Sequence, residues 1–144
     1  MNLVDTSGWI EFFFEGPSAA FFAAPIEKVE TLLIPTVCLY EVFKKVNQAA
    51  DEARALQAVA QMKQGRVVAV DEAVALNAAL MSLKHKLPMA DSFIYATARI
   101  YGATLWTQED HFKGLPQVNY KEARTAPSRG RSISRRNGRR KVER

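Results

Sequence analysis

The sequence predicts an α/β domain built on a largely parallel, buried sheet, and three observations carry that prediction. Short apolar runs without polar alternation recur at Leu3-Val4, at Thr31–Ile34, over residues 66–70 and over residues 103–107, the pattern of strands covered on both faces. Longer stretches with helical spacing of apolar residues separate them, as crossover connections between parallel strands require. The length, 144 residues, suits one domain and leaves no second core.

Each element follows from local signals. The first apolar run, from Asn2, ends in Asp5, and Thr6 or Ser7 can cap a helix carrying Trp9, Ile10, Phe13 and Phe14 on one stripe. Gly16-Pro17 breaks it, and a short helix over residues 18–24 is expected to stop at Pro25. Thr31–Ile34 reads as a buried strand, after which Pro35 and Thr36 start a helix bearing Val37, Leu39, Tyr40, Val42, Phe43 and Val46. Residues 51–64 are helix formers with Ala53, Leu56, Val59, Ala60 and Met62 on one side, ended by Gly65. The valine-rich run 66–70 reads as an interior strand. Asp71 caps a helix reaching about Lys86, and another spans residues 89–101 and stops at Gly102. A strand over 103–107, a loop or single turn over 109–115 and an edge strand over 117–120 complete the domain.

Composition narrows the classes of function. Hydrophobic residues make up 48% and charged residues 24%, the balance of a soluble globular protein. No apolar run approaches the roughly 18 to 20 residues that span a bilayer. The N-terminus lacks a basic segment, and Asp5 interrupts its apolar run, which argues against a signal peptide. Cys38 stands alone in an apolar stretch and reads as a buried thiol. Together these point to the cytoplasm. The net charge of +5 divides unevenly. Residues 125–144 hold eight basic residues and one acid, or 8 − 1 = +7, leaving residues 1–124 with 12 basic and 14 acidic, or −2. The expected organisation is a domain over 1–124 and a basic tail over 125–144, disordered when free. The tail is either a dispensable solvated extension or an electrostatic anchor for RNA.

Several acids sit at strand ends or in apolar surroundings. Asp5 follows Leu3-Val4, Glu41 lies between Tyr40 and Val42, Asp91 precedes Ser92-Phe93-Ile94-Tyr95, and Glu109 and Asp110 follow the strand ending at Thr107. Acids near a buried face cost free energy unless paired or coordinated. Few basic partners are in sequence reach, so a hard divalent cation is indicated, Mg²⁺ first. Zinc fits poorly with one cysteine and only His85 and His111. Taken singly, each acid has a structural reading. Asp5 could cap the first helix, Glu41 could pair with Lys44 or Lys45, Asp91 could favour a helix N-terminus, and Glu109-Asp110 could be loop polars.

Four blocks resemble the PIN-domain ribonucleases, and among them the VapC-type toxins of toxin–antitoxin modules. They are Val4-Asp5-Thr6-Ser7-Gly8-Trp9, Glu41 in the third helix, the run Met89-Ala90-Asp91-Ser92-Phe93-Ile94-Tyr95-Ala96-Thr97-Ala98, and the segment 104–116 with Thr107, Glu109, Asp110, His111 and Phe112. The resemblance extends from Met1 to about Tyr120. It implies a PIN fold, a parallel sheet of four or five strands flanked by helices, with the acids meeting at one end. It further implies endonucleolytic cleavage of RNA dependent on Mg²⁺ or Mn²⁺, by in-line attack of a metal-activated water. A homodimer and a cognate antitoxin protein are the implied partners.

On that resemblance Asp5 and Asp91 bind the metal directly, and Glu41 and Glu109, or Asp110 in its place, complete the outer sphere. Thr6, Ser7 and Thr107 either hold these ligands by hydrogen bonds or merely cap helix and strand ends. One departure is that Glu109 stands where the family usually has Asp. The competing reading is a catalytically weak or silent PIN-like protein that binds RNA or a partner. His111 reads as a loop anchor rather than a general base. The phenylalanines 12, 13, 14, 21 and 22 read as core together with a contact surface.

Overall fold

The computed structural model describes residues 1–124, and the basic segment 125–144 lies outside the described residues. Chain order is β1 (Asn2–Val4), α1 (Thr6–Phe13), α2 (Ala19–Ile26), β2 (Leu32–Pro35), α3 (Thr36–Ala49), α4 (Glu52–Met62), β3 (Arg66–Val68), α5 (Glu72–His85), α6 (Met89–Tyr101), β4 (Thr104–Thr107) and β5 (Val118–Tyr120). Single 3-10 turns occupy Val29–Thr31 and Asp110–Phe112. Among the described residues no helix is long and apolar enough to cross a membrane.

The five strands form one parallel sheet in the order β3-β2-β1-β4-β5. From β1 the chain first builds outward through β2 to β3, then returns to β1's other side with β4 and β5. The strand order therefore reverses between β1 and β4, where Leu3 pairs with Leu105 and Val4 with Trp106. A crevice at the carboxyl ends of such a pair is where open α/β sheets hold ligands. Helices pair as α1 with α2, α3 with α4 and α5 with α6.

Leu3, Val4, Leu33, Ile34 and Leu105 fill the middle of the sheet, and Trp9, Phe22, Tyr95 and Phe112 close over it. Each such side chain contributes about 1.5–3 kcal/mol on burial. Close approach is built in at Gly65, where a Cβ would lie 2.8 Å from the Leu32 carbonyl oxygen.

Three expectations are corrected. β3 is an edge strand, not an interior one, and ends at Val68 with Arg66 and Val67 exposed. Valine content reports a preference for extended backbone, which an edge strand shares with a central one. Pro25 lies inside α2 instead of stopping it. In the last turn its missing N–H forfeits one bond, and both Pro25 and Ile26 are buried in return. α4 buries Ala55, Ala58 and Met62, while Leu56 is exposed; the two small alanines let α4 lie close against α3. On α5 only Val74 and Ala78 are buried, and Leu76, Leu80 and Leu83 form a stripe facing outward. The phenylalanines divide: Phe22 is buried, Phe12, Phe13 and Phe21 pack half-buried against the core, and Phe14 is exposed.

Candidate metal centre and active site

Asp5 leaves the carboxyl end of β1 and caps α1. Its backbone N–H donates to the Trp106 carbonyl at 3.1 Å, fixing it beside β4. Its Oδ1 accepts from the Gly8 N–H at 3.0 Å and from Ser7 Oγ at 2.7 Å, and its Oδ2 accepts from Thr107 Oγ1 at 2.7 Å. A carboxylate offers about four lone-pair sites. Three donors leave one, on Oδ2, for a cation or its water. Capping and ligand roles, alternatives from sequence, are thus compatible in one side chain.

Burial pushes the Asp5 carboxyl up to about 6 from its usual 3.8. The bonds from Thr107, Ser7 and Gly8 pull the other way, and the Asp91 carboxylate adds to the rise. Among the described residues no lysine or arginine forms an ion pair with Asp5. An acid kept this dry beside other acids is a group a cation would stabilise.

Thr107 is shared between two acids. Its hydroxyl donates to Asp5 and accepts the Glu109 backbone N–H at 2.8 Å. Thr6 Oγ1 donates to Glu41 Oε1, bringing α3 to the same end of the sheet. Thr6, Ser7 and Thr107 all bond to the acids, with Ser7 and Thr107 on Asp5 itself.

Asp91 lies in the first turn of α6. Burial raises its carboxyl, His111 lowers it, and Glu109 and Glu41 raise it further. These mutual influences mark Asp5, Glu41, Asp91 and Glu109 as one electrostatic cluster. Asp110 does not join it. Its Oδ1 accepts from the Tyr120 hydroxyl at 2.8 Å, which pushes the Tyr120 phenol up to about 12. Glu109, rather than Asp110, is therefore the acid that the turn presents to Asp91.

The residue that sequence reasoning undervalued is His111. Its Nδ1 stands 2.9 Å from Asp91 Oδ2 and 3.4 Å from Glu109 Oε1. Only a histidine two residues past Glu109 hinted at this. Beneath the cluster Cys38 is fully buried, and burial first, then the charges of Asp5, Glu41 and Asp91, push its thiol well up. It is an inert core thiol.

Oxygen donors on rigid strand and helix ends suit Mg²⁺ or Mn²⁺. Among the described residues no three carboxylate, imidazole or thiol groups stand, as placed, where they could hold a metal ion together, so a bound ion would require these side chains to shift.

The family sequence model described as PIN domain matches residues 3–118. No curated protein sequence matches closely enough to count as a relative. Among solved structures, a toxin–antitoxin complex from Klebsiella pneumoniae is similar at TM-score 0.70 and 22% identity, covering 83% of this chain and 96% of that one. VapBC from Salmonella typhimurium, solved bound to DNA, is similar at TM-score 0.65 and 17% identity over 84% and 98% of the two chains. VapC20 from Mycobacterium tuberculosis, described as a toxin that cleaves the sarcin–ricin loop, is similar at TM-score 0.62 and 17% identity over 72% and 85%. With the five-stranded parallel sheet and its flanking helices, the match over residues 3–118 shows that the chain belongs to the PIN-domain family.

Proposed function

We propose that the protein is a metal-dependent endoribonuclease, the toxin of a toxin–antitoxin pair, acting in the cytoplasm. The observation that carries this reading is the grouping of Asp5, Glu41, Asp91 and Glu109 about the carboxyl ends of β1 and β4, none of them in an ion pair with a lysine or arginine of the described residues. A divalent ion bound there supplies an acidic water and charge to offset the phosphate oxygens of RNA.

The chain's own residues hold and aim. Asp5 and Asp91 are the direct ligands, each fixed at the end of a rigid element. Glu41 and Glu109 orient water around them. Ser7 and Thr107 fix the Asp5 rotamer, Thr6 fixes Glu41, and Thr107 ties the Glu109 backbone to the Asp5 carboxylate.

The test is cleavage of total cellular RNA by the full chain with Mg²⁺ or Mn²⁺, against EDTA and Asp91→Asn. Discrete fragments are expected, with a loss on the order of 10³-fold in both controls, since a metal supplies several kcal/mol to such reactions. A folded protein that cuts equally well in EDTA would overturn the assignment.

The partners have surfaces suited to them. An apolar groove of about 540 Å³ between α3 and α4, lined by Leu39, Tyr40, Phe43 and Val59, is assigned to the antitoxin; the Klebsiella and Salmonella structures are of toxin–antitoxin assemblies. The α5 stripe of Leu76, Leu80 and Leu83 is assigned to a second copy, since exposed leucines at helical spacing cover one another well in a symmetric pair. In sedimentation velocity the full chain should run as a dimer and Leu80→Glu as a monomer. A monomeric wild type would remove the second copy from the proposal.

A further inference from the structure

His111 places a nitrogen among the carboxylates, hydrogen-bonded through Nδ1 to Asp91. The side chain is 47% exposed, so it is not there to fill the core. Its backbone is pinned. Phe112 next to it is completely buried and packs against Tyr95, while the Phe112 N–H donates to the Glu109 carbonyl at 3.1 Å and the Lys113 N–H to that of Asp110 at 3.0 Å. This turn carries the imidazole over the first turn of α6, against Asp91.

The distances have the scale of a coordination sphere. Ligands 2.0–2.2 Å from an octahedral ion lie about 3 Å from their nearest neighbours on that sphere. Nδ1 is 2.9 Å from Asp91 Oδ2, the separation expected of adjacent ligands once a cation replaces the hydrogen bond between them, and Glu109 Oε1 lies further off, at 3.4 Å, where it can hold a water of the ion. An oxygen-only site favours Mg²⁺, whereas an imidazole nitrogen shifts preference toward first-row transition ions.

We propose that His111 is a direct nitrogen ligand of the divalent ion and that it biases the centre toward Mn²⁺ over Mg²⁺. The inference rests on the metal-centre reading above and adds a residue and an ion preference to it. In this arrangement Asp5 and Asp91 anchor the ion from the sheet and α6, and His111 closes over it from the 108–112 segment while Glu109 holds one of its waters. No three carboxylate, imidazole or thiol groups of the described residues could hold an ion as placed, so binding draws Asp5 and Asp91 toward the imidazole.

The experiment uses the full chain loaded with Mn²⁺ alone and reads pulsed electron paramagnetic resonance, with histidine supplied as ¹⁴N or ¹⁵N. Wild type should show a directly bound nitrogen whose coupling changes with the isotope, and His111→Asn should lose it. Because His85 is untouched in that variant, the loss assigns the coupling to His111. In parallel, Mg²⁺ is titrated against bound Mn²⁺. The preference for Mn²⁺ should fall by roughly tenfold or more in His111→Asn, the scale of lost support at metal sites. Bound Mn²⁺ without nitrogen coupling, coupling that survives in the variant, or an unchanged preference would each overturn the ligand role while leaving the carboxylate centre intact. Failure of wild type to bind Mn²⁺ would overturn the centre itself.

Discussion

Asp5→Asn should make the metal-free protein more stable at neutral pH while largely removing the metal-dependent RNA cleavage proposed for it. The folded protein holds the Asp5 carboxyl at about 6 against a usual 3.8, so it prefers the protonated acid more than the unfolded chain does. For a group raised in this direction the sign is the reverse of an ordinary ion-paired acid. Below pH 3.8 the group costs nothing; stability falls as pH rises from there through 6, and the loss is complete above it. A rise of this size corresponds to about 3 kcal/mol.

Asparagine has the same shape and can keep its oxygen on Gly8 and Ser7, leaving its amide to face the Thr107 hydroxyl. It carries no charge to desolvate. Urea denaturation in EDTA at a series of pH values from about 4 to about 7 would read this directly. Wild type should lose stability across the window relative to the variant, which should overtake it near neutrality. Adding Mn²⁺ should then restore wild type and leave the variant unmoved, since an ion stabilises only the state that binds it. Parallel curves with and without the substitution would show that Asp5 is not held as a costly dry acid. The same variant should cut RNA on the order of 10³-fold more slowly.

Gly8→Ala should cost about 3 kcal/mol of stability, although alanine is the better helix former by about 1 kcal/mol. A Cβ at this position would lie 2.5 Å from Phe22 Cδ1 and 2.6 Å from Val4 Cγ1. Both neighbours are completely buried, so neither has room to yield. Relief requires α1 to move away from β1 and α2, and that motion would carry the Gly8 N–H off the Asp5 carboxylate. Urea midpoints should therefore fall, and Mn²⁺ affinity should fall with them. A variant as stable as wild type would show that the contact between α1, β1 and α2 is looser than these distances require.

The parts of the fold that were legible in the sequence are those governed by neighbours in the chain. Asp71 caps α5 through its side chain and Gly102 ends α6 in the left-handed conformation, because caps are written within four residues; at α1 the cap is Asp5 itself and not Thr6 or Ser7, and Asp51 caps α4 from just outside it. The acids were legible as candidates for the same reason, since strand ends and helix first turns have local signatures. What escaped was decided at a distance. Whether β3 has one neighbour or two depends on where β1 and β2 sit, which valine content does not record. The buried face of α4 follows from how closely α3 approaches, so alanines won over Leu56. Glu109 was separated from Asp110 by Tyr120, on a strand the loop has yet to reach, and His111 found Asp91 across a turn whose direction is set by Phe112.

The bonds that complete the site join the two ends of the domain. The Asp5 N–H reaches Trp106, and its carboxylate reaches Thr107, on a strand that is made long after β1 leaves the ribosome. During synthesis the first acid therefore waits, unpaired on that side, until nearly every other element has emerged. Because the sheet is wholly parallel, β1 cannot borrow a partner from an adjacent hairpin in the meantime. The Asp5 side of the site therefore takes its final form only once β4 has paired with β1, among the last steps in completing the domain.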